Sequence, residues 1–153
     1  MNTLAIVGLG GVGRALLAQA APHFRIVLLA DSSGYVLGDL DEPTWSRLSQ
    51  VKASGGALAD QPEGKRGDWR AVLPEGALVA DTTAEASGDR LAELVAAGHR
   101  IALANKKPLC GSFFQFRAIT GGGATRYEAT VGAGLPVIMT SLMLRDSGDQ
   151  LLS

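Results

Sequence analysis

The chain has 153 residues, 46% of them hydrophobic, with 14 Lys and Arg against 15 Asp and Glu and a formal net charge of -1. That length suits one globular domain with its own core, and charges scattered without runs exclude a basic nucleic-acid surface or a polybasic membrane patch. The uncharged stretch from Ala129 to Leu144 is broken by Gly, Pro, Thr and Ser and falls short of the ~18 apolar residues of a spanning helix.

The N-terminus lacks the basic start of a signal peptide, and the single cysteine, Cys110, closes no internal disulfide. A cytoplasmic protein without a membrane or nucleic-acid partner is the expectation. Glycine occurs 20 times, nearly double the usual ~7%, yet no tract is of low complexity, so the glycines mark specific positions.

Leu4 to Val7 is a short apolar run stopped by glycine, the pattern of a buried parallel strand. Val12, Ala15 and Leu16 follow at helical spacing, Pro22 ends that helix, and a second apolar run from Arg25 to Ala30 closes on Asp31. Residues 32–75 are loop-rich, with one helix expected near Thr44 to Val51 and a basic, glycine-interrupted stretch at Gly64 to Gly67.

Regularity returns with a strand at Ala77 to Ala80, leading to Asp81-Thr82-Thr83. Ser87 is placed to cap a helix whose inner face is Leu91, Leu94 and Val95 and whose stop is Gly98. A strand from Arg100 to Ala104 runs into Asn105-Lys106-Lys107-Pro108. Further elements are expected as a helix at Ser112 to Ile119, a strand at Thr125 to Val131 and a helix at Pro136 to Arg145. Strands alternate with helices, which predicts a Rossmann-type, doubly wound α/β domain with a mainly parallel sheet covered on both faces, spanning residues 1–153 as one dinucleotide-binding unit.

Gly8-Leu9-Gly10-Gly11-Val12-Gly13 is a GxGxxG between the first strand and the first helix, the context that gives the pattern weight. Gly8 permits the tight turn, Gly10 lets a pyrophosphate approach the backbone, and Gly13 lets the helix lie close to the sheet. The helix start at Gly11 and Val12 supplies amide donors and a positive dipole to phosphates.

Asp31 follows Gly13 by 18 residues, near the ~20 expected for the acid that binds an adenosine ribose. Its carboxylate accepts from ribose hydroxyls and repels a 2′-phosphate, and no Lys or Arg follows until Arg47, which favours NAD over NADP. The other role open to Asp31 is to cap a turn at Ser32-Ser33-Gly34.

Thr82, Thr83, Asn105 and Lys106 stand at the carboxyl ends of later strands, where open α/β sheets bind ligands, and are candidate cofactor contacts or turn and surface residues. Glu128 precedes a glycine-rich bend whose carbonyls complete an oxygen set that suits a hard cation, the alternative being a pairing with Arg126. His23 and His99 lack metal spacing and read as structural or exposed, and Cys110 as a small packing residue.

Taken together, GLGGVGRALL from Gly8, ADSSG from Ala30, DTT at Asp81, ANKKPL from Ala104 and YEATVGAGLPVI from Tyr127 resemble homoserine dehydrogenase. The resemblance implies nicotinamide-dependent interconversion of homoserine and aspartate 4-semialdehyde, on the route to threonine and methionine. It implies cofactor contacts at Thr83 and Lys106, and a sodium site formed by Glu128 with the carbonyls of Val131, Ala133 and Leu135. It also implies that the substrate carboxylates and the proton-handling lysine belong to a second domain beyond Ser147-Gly148-Asp149. No catalytic residue is therefore expected in residues 1–153, homoserine or the semialdehyde would bind only with that domain, and a homo-oligomer is open for a longer protein. The competing readings are a non-enzymatic dinucleotide-sensing module, which would leave Asn105-Lys106-Lys107 and EATVGAGLP unexplained, and another two-domain dehydrogenase acting on an amino-acid-derived substrate.

Overall fold

The computed structural model describes residues 2–132 and 135–147. Seven strands form one sheet in the order β4-β3-β2-β1-β5-β6-β7. Its elements are β1 (Thr3–Val7), α1 (Gly11–Ala20), β2 (Arg25–Asp31), β3 (Gly34–Leu37), α2 (Glu42–Ala53), β4 (Gly64–Lys65), β5 (Leu78–Asp81), α3 (Gly88–Ala96), β6 (Arg100–Leu103), α4 (Phe113–Thr120), β7 (Thr125–Arg126) and α5 (Val137–Asp146). β2, β1, β5, β6 and β7 are mutually parallel neighbours, while β3 and β4 add an antiparallel edge. The expected Rossmann-like architecture is present.

Burial on both faces explains why the parallel strands read as unbroken apolar runs. In β1, Leu4 and Ile6 join the core under α1 and α2, with Leu17 and Leu48, whereas Ala5 and Val7 join the core under α3 and α4, with Leu91, Leu94 and Ile119. A bulge between Leu4 and Ala5 in the pairing of β1 with β2 skips Val27, so Ile26 faces the first core and Leu28 the second. Fully burying one such Leu or Ile side chain contributes about 1.5–3 kcal/mol, and this two-sided core holds the strand ends in register.

Several elements differ from expectation. The loop-rich segment contains β3, whose hairpin with β2 pairs Asp31 with Gly34, and the short β4 beyond it. The helix expected near Thr44 runs from Glu42 to Ala53, started by Asp41 accepting from the Thr44 amide at 3.1 Å. Ser87 sits at the start of α3 but does not cap it: its backbone (φ -93°, ψ 22°) is not in the extended conformation of a capping residue, and its hydroxyl donates to Asp81 Oδ2 at 2.8 Å. The strand expected to reach Val131 ends at Arg126, and Glu128–Thr130 forms a 3-10 turn. Cys110 is exposed rather than a packing residue, whereas His99 is buried against the Ala77 carbonyl and His23 is exposed, as expected. Helix α5 has no buried residue.

Candidate functional site

At the carboxyl ends of β1, β2 and β5 lies a cavity of about 810 Å³, within the range of small-molecule sites. Gly8, Leu9, Gly10, Asp31, Thr82 and Thr83 line it. Gly8 has φ +93°, and a Cβ there would stand 2.7 Å from the Thr83 amide nitrogen. A Cβ on Gly13 would fall 2.0 Å from the Gly8 carbonyl oxygen and 2.7 Å from Thr82 Oγ1. The turn and the helix seat therefore explain these two glycines. Gly10 is different: a Cβ there would meet nothing within 4 Å. No protein atom requires glycine at position 10, and its side-chain position opens onto the cavity.

The start of α1 fits an anion. Gly10 offers no side-chain cap and the first turn carries no acid, so the leading amides of Gly11, Val12 and Gly13 keep their donors. Arg14 lines the same cavity and donates to the Leu9 carbonyl at 3.4 Å. Among the described residues no carboxylate pairs with it. The other cations on the wall are paired: Lys52 with Asp31 at 2.7 Å, Arg70 with Asp68 at 2.7 Å, and Arg90 with Glu85 at 3.8 Å.

Asp31 takes the turn-capping role. Its Oδ1 accepts from the Ser33 amide (2.8 Å), the Ser33 hydroxyl (2.5 Å) and the Gly34 amide (3.2 Å), and its Oδ2 from the Leu58 amide (3.2 Å) and Lys52. Burial by itself would raise the pKa of this group. The hydrogen bonds from Lys52, Ser33 and Leu58 outweigh that and hold the carboxyl below its ordinary 3.8. The expected lack of a cation near Asp31 is thus corrected by Lys52, which α2 brings back from 21 positions further along the chain.

On the far side, Thr82 donates its hydroxyl to the Gly8 carbonyl at 2.5 Å, tying the end of β5 to the glycine turn. Asn105 is buried behind Thr83 and does not line the cavity, and Lys106 is exposed beside it.

No protein-family model matches the chain. A bifunctional aspartokinase/homoserine dehydrogenase of Zea mays is 30% identical over 166 residues, 96% of this chain and 18% of that protein. The homoserine dehydrogenase of Schizosaccharomyces pombe is 29% identical over 97% of this chain and 44% of its own length. The chain is a homologue of the homoserine dehydrogenases. It spans less than half the length of these relatives. A hyperthermophilic archaeal homoserine dehydrogenase solved in complex with NADPH shares the fold with a TM-score of 0.74 at 23% identity, over 90% of this chain and 46% of that one. A Candida auris protein of unknown function superposes with a TM-score of 0.73 at 25% identity, over 98% of this chain and 45% of that one.

In this homoserine dehydrogenase homologue the expected cation ligands stand apart from the cavity lining. Glu128 does not pair with Arg126. Its oxygens accept from the Ile138 and Met139 amides at 3.0 Å each, capping α5, while Arg126 donates to the Gly123 carbonyl. Val131 and Leu135 are exposed, and Ala133 lies outside the described residues. The cavity residues that sequence reasoning missed include Arg14, Lys52, Glu85, Arg90 and, last, the Asp68-Trp69-Arg70 segment. A tryptophan is rare enough in this chain to have flagged the last of these, but no periodicity shows that Lys52 folds back onto Asp31.

Proposed function

We propose that residues 1–153 form the cofactor-binding part of a homoserine dehydrogenase, working in the cytoplasm on the route to threonine and methionine and binding a nicotinamide dinucleotide in the glycine-turn cavity. The observation that carries this reading is the start of α1: an uncapped helix whose capping residue, Gly10, lines the cavity with no side chain in the way, in a chain homologous to these dehydrogenases over nearly its whole length. The amides of Gly11, Val12 and Gly13, with the Arg14 guanidinium, would meet the pyrophosphate. Thr82 and Thr83 would face the nicotinamide half, and Lys106 would reach it from the end of β6. Bound there, the dinucleotide would accept or donate the hydride that interconverts homoserine and aspartate 4-semialdehyde.

Lys52 offsets the Asp31 charge, and the Asp31 oxygens are already taken by five donors. A modest NAD preference is therefore expected, not exclusion of NADP. Sodium would be held by Glu128 and the carbonyls of Val131, Ala133 and Leu135. An all-oxygen set suits a hard cation, although the Leu135 carbonyl already accepts the Val137 amide at 2.8 Å.

Hydride transfer also needs a held substrate carbon and a group to move the hydroxyl proton. Among the described residues no carboxylates cluster beside a free lysine in the cavity, so these functions are assigned to a further domain. Calorimetric titration of residues 1–153 with NADH and NADPH at matched ionic strength should show binding, and incubation with homoserine and NAD should show no turnover. Absence of binding to both cofactors refutes the dinucleotide site, and homoserine-dependent NADH production refutes the division of labour.

A further inference from the structure

Asp81 is 2% exposed and Asn105 6% exposed, and neither lines the cavity. Asp81 Oδ1 accepts from the Thr83 amide at 2.9 Å and the Thr83 hydroxyl at 2.6 Å, and Oδ2 accepts from the Ser87 hydroxyl at 2.8 Å. The orientation of the Asn105 amide follows from its partners. The Lys107 amide donates to Oδ1 at 3.1 Å, so Nδ2 donates to the Glu85 carbonyl at 2.6 Å and to Thr83 Oγ1 at 3.2 Å. Because the Thr83 proton goes to Asp81, its oxygen is free to accept from Asn105. The polarity runs one way, from amide to hydroxyl to carboxylate.

These bonds converge on residues 82–87. Thr82 ties that segment to the glycine turn, Asp81 ties it through Thr83 and Ser87 to the end of β5, and Asn105 ties it through Thr83 and Glu85 to the end of β6. Thr82, Thr83, Ala84 and Glu85 are cavity wall. In a doubly wound sheet the adenosine half lies over the β2 side and the pyrophosphate at the first helix, which leaves the nicotinamide half over β5 and β6.

We propose that Asp81 and Asn105 are positioning residues that clamp residues 82–87 as a fixed wall on the nicotinamide side of the cavity while touching no ligand. The proposal rests on the dinucleotide reading and says how that site keeps its shape. Loosening the clamp should weaken a ligand that carries nicotinamide and spare one that lacks it.

The test is titration of NADH and ADP-ribose, which has no nicotinamide, against the wild-type chain, Asn105→Ala, Asp81→Ala and Asp81→Asn, with circular dichroism to follow folding. Asp81→Asn keeps an oxygen toward Thr83 and turns its NH2 toward Ser87, whose hydroxyl can accept, so it serves as the conservative rescue. Asn105→Ala and Asp81→Ala should bind NADH about ten-fold more weakly, with ADP-ribose changed by less than about two-fold, and Asp81→Asn should stay within about three-fold for both ligands. If Asp81→Ala does not fold, Asn105→Ala and Asp81→Asn carry the comparison. Equal losses for both ligands, or an unchanged NADH affinity in Asn105→Ala, overturn the clamp. A wild-type chain that binds neither ligand overturns the dinucleotide reading and the clamp with it.

Discussion

Asp31 ends β2 and Asp81 ends β5, the two strands that flank β1, and the protein holds these carboxylates in opposite ways. Asp31 has a cation, Lys52 at 2.7 Å, and its loop partners all come from the β2–β3 side of the molecule. Asp81 is satisfied by an amide and two hydroxyls that tie the cavity wall to the end of its own strand, and Asn105 joins the same Thr83 to the end of β6. Each of these strand-end acids anchors the loop that follows it, and they differ in their donors, a cation for Asp31 and only neutral groups for Asp81. The glycine turn between the two acids provides the frame for both.

The largest expected effect comes from breaking that frame. Gly13→Ala would drive a methyl to 2.0 Å from the Gly8 carbonyl, an overlap that backbone must absorb at about 3 kcal/mol or more, and both circular dichroism and NADH titration should register the loss. Gly10→Ala should do the reverse, costing only about 1 kcal/mol, as an alanine at a helix-capping position does, while NADH binding falls at least about ten-fold. If Gly10→Ala binds NADH normally, the space in front of it is not the pyrophosphate site.

The two acids themselves should separate next. Asp81→Ala leaves buried hydroxyl and amide donors without partners and should destabilise by about 3 kcal/mol in urea unfolding, against about 2 kcal/mol for Asp31→Ala, where the donors and Lys52 lie nearer solvent. The reverse order would show that Asp31 and its cation, rather than Asp81, hold the strand ends together.

How far the sequence reveals these arrangements differs between the two sides. The β1–α1–β2 unit, β5, α3 and β6 are legible because apolar runs, helical spacing and stop residues all agree along them. β3 is hidden because Gly34–Leu37 follows a serine turn at the head of a loop-rich segment and is the return strand of a hairpin, specified by its pairing with β2 rather than by a following helix. Gly8, Gly10 and Gly13 announce themselves by spacing. Asp81 and Asn105 do not, since an aspartate and an asparagine at loop starts look like turn residues until the fold brings Thr83, Ser87 and Glu85 around them. Likewise Lys52 stands on a polar helix face, and only the return of α2 to the end of β2 places it on Asp31.

A smaller effect sharpens the contrast in charge. Lys52→Met should unmask Asp31 and weaken NADPH binding about five- to ten-fold while changing NADH by about two-fold or less, because the uncompensated carboxylate would face only the 2′-phosphate. Equal losses for the two cofactors would place Lys52 away from that phosphate. The same pair predicts a pH signature. The folded pKa of Asp31 lies below its ordinary 3.8, so its contribution is complete above the unfolded value and is lost as the pH falls through 3.8 toward the folded value. Urea midpoints should therefore fall less steeply below about pH 4 in Asp31→Asn than in the wild type, and identical slopes would show that the donors from Lys52, Ser33 and Leu58 do not together favour the ionised carboxyl in solution.

The smallest expected effect concerns a third carboxylate, Glu128, which serves a helix rather than a strand end. Its oxygens accept from Ile138 and Met139 at 3.0 Å each, in the first turn of α5, where Pro136 supplies no side-chain cap. Those amides have no partner within the helix, and a negative charge there also opposes the positive end of the helix dipole. Glu128→Gln keeps one acceptor oxygen but loses the charge and one of the two bonds, which should cost about 1 kcal/mol. Since α5 buries no residue of its own in the core, that cost should appear locally, as roughly five-fold faster hydrogen exchange at the α5 amides with those of β1 unchanged. Sodium held by the same carboxylate would slow exchange at α5 in the wild type and leave Glu128→Gln unmoved. Exchange at α5 that responds to neither the substitution nor sodium would remove Glu128 from both roles, whereas a response to the substitution alone would keep the cap and dismiss the ion.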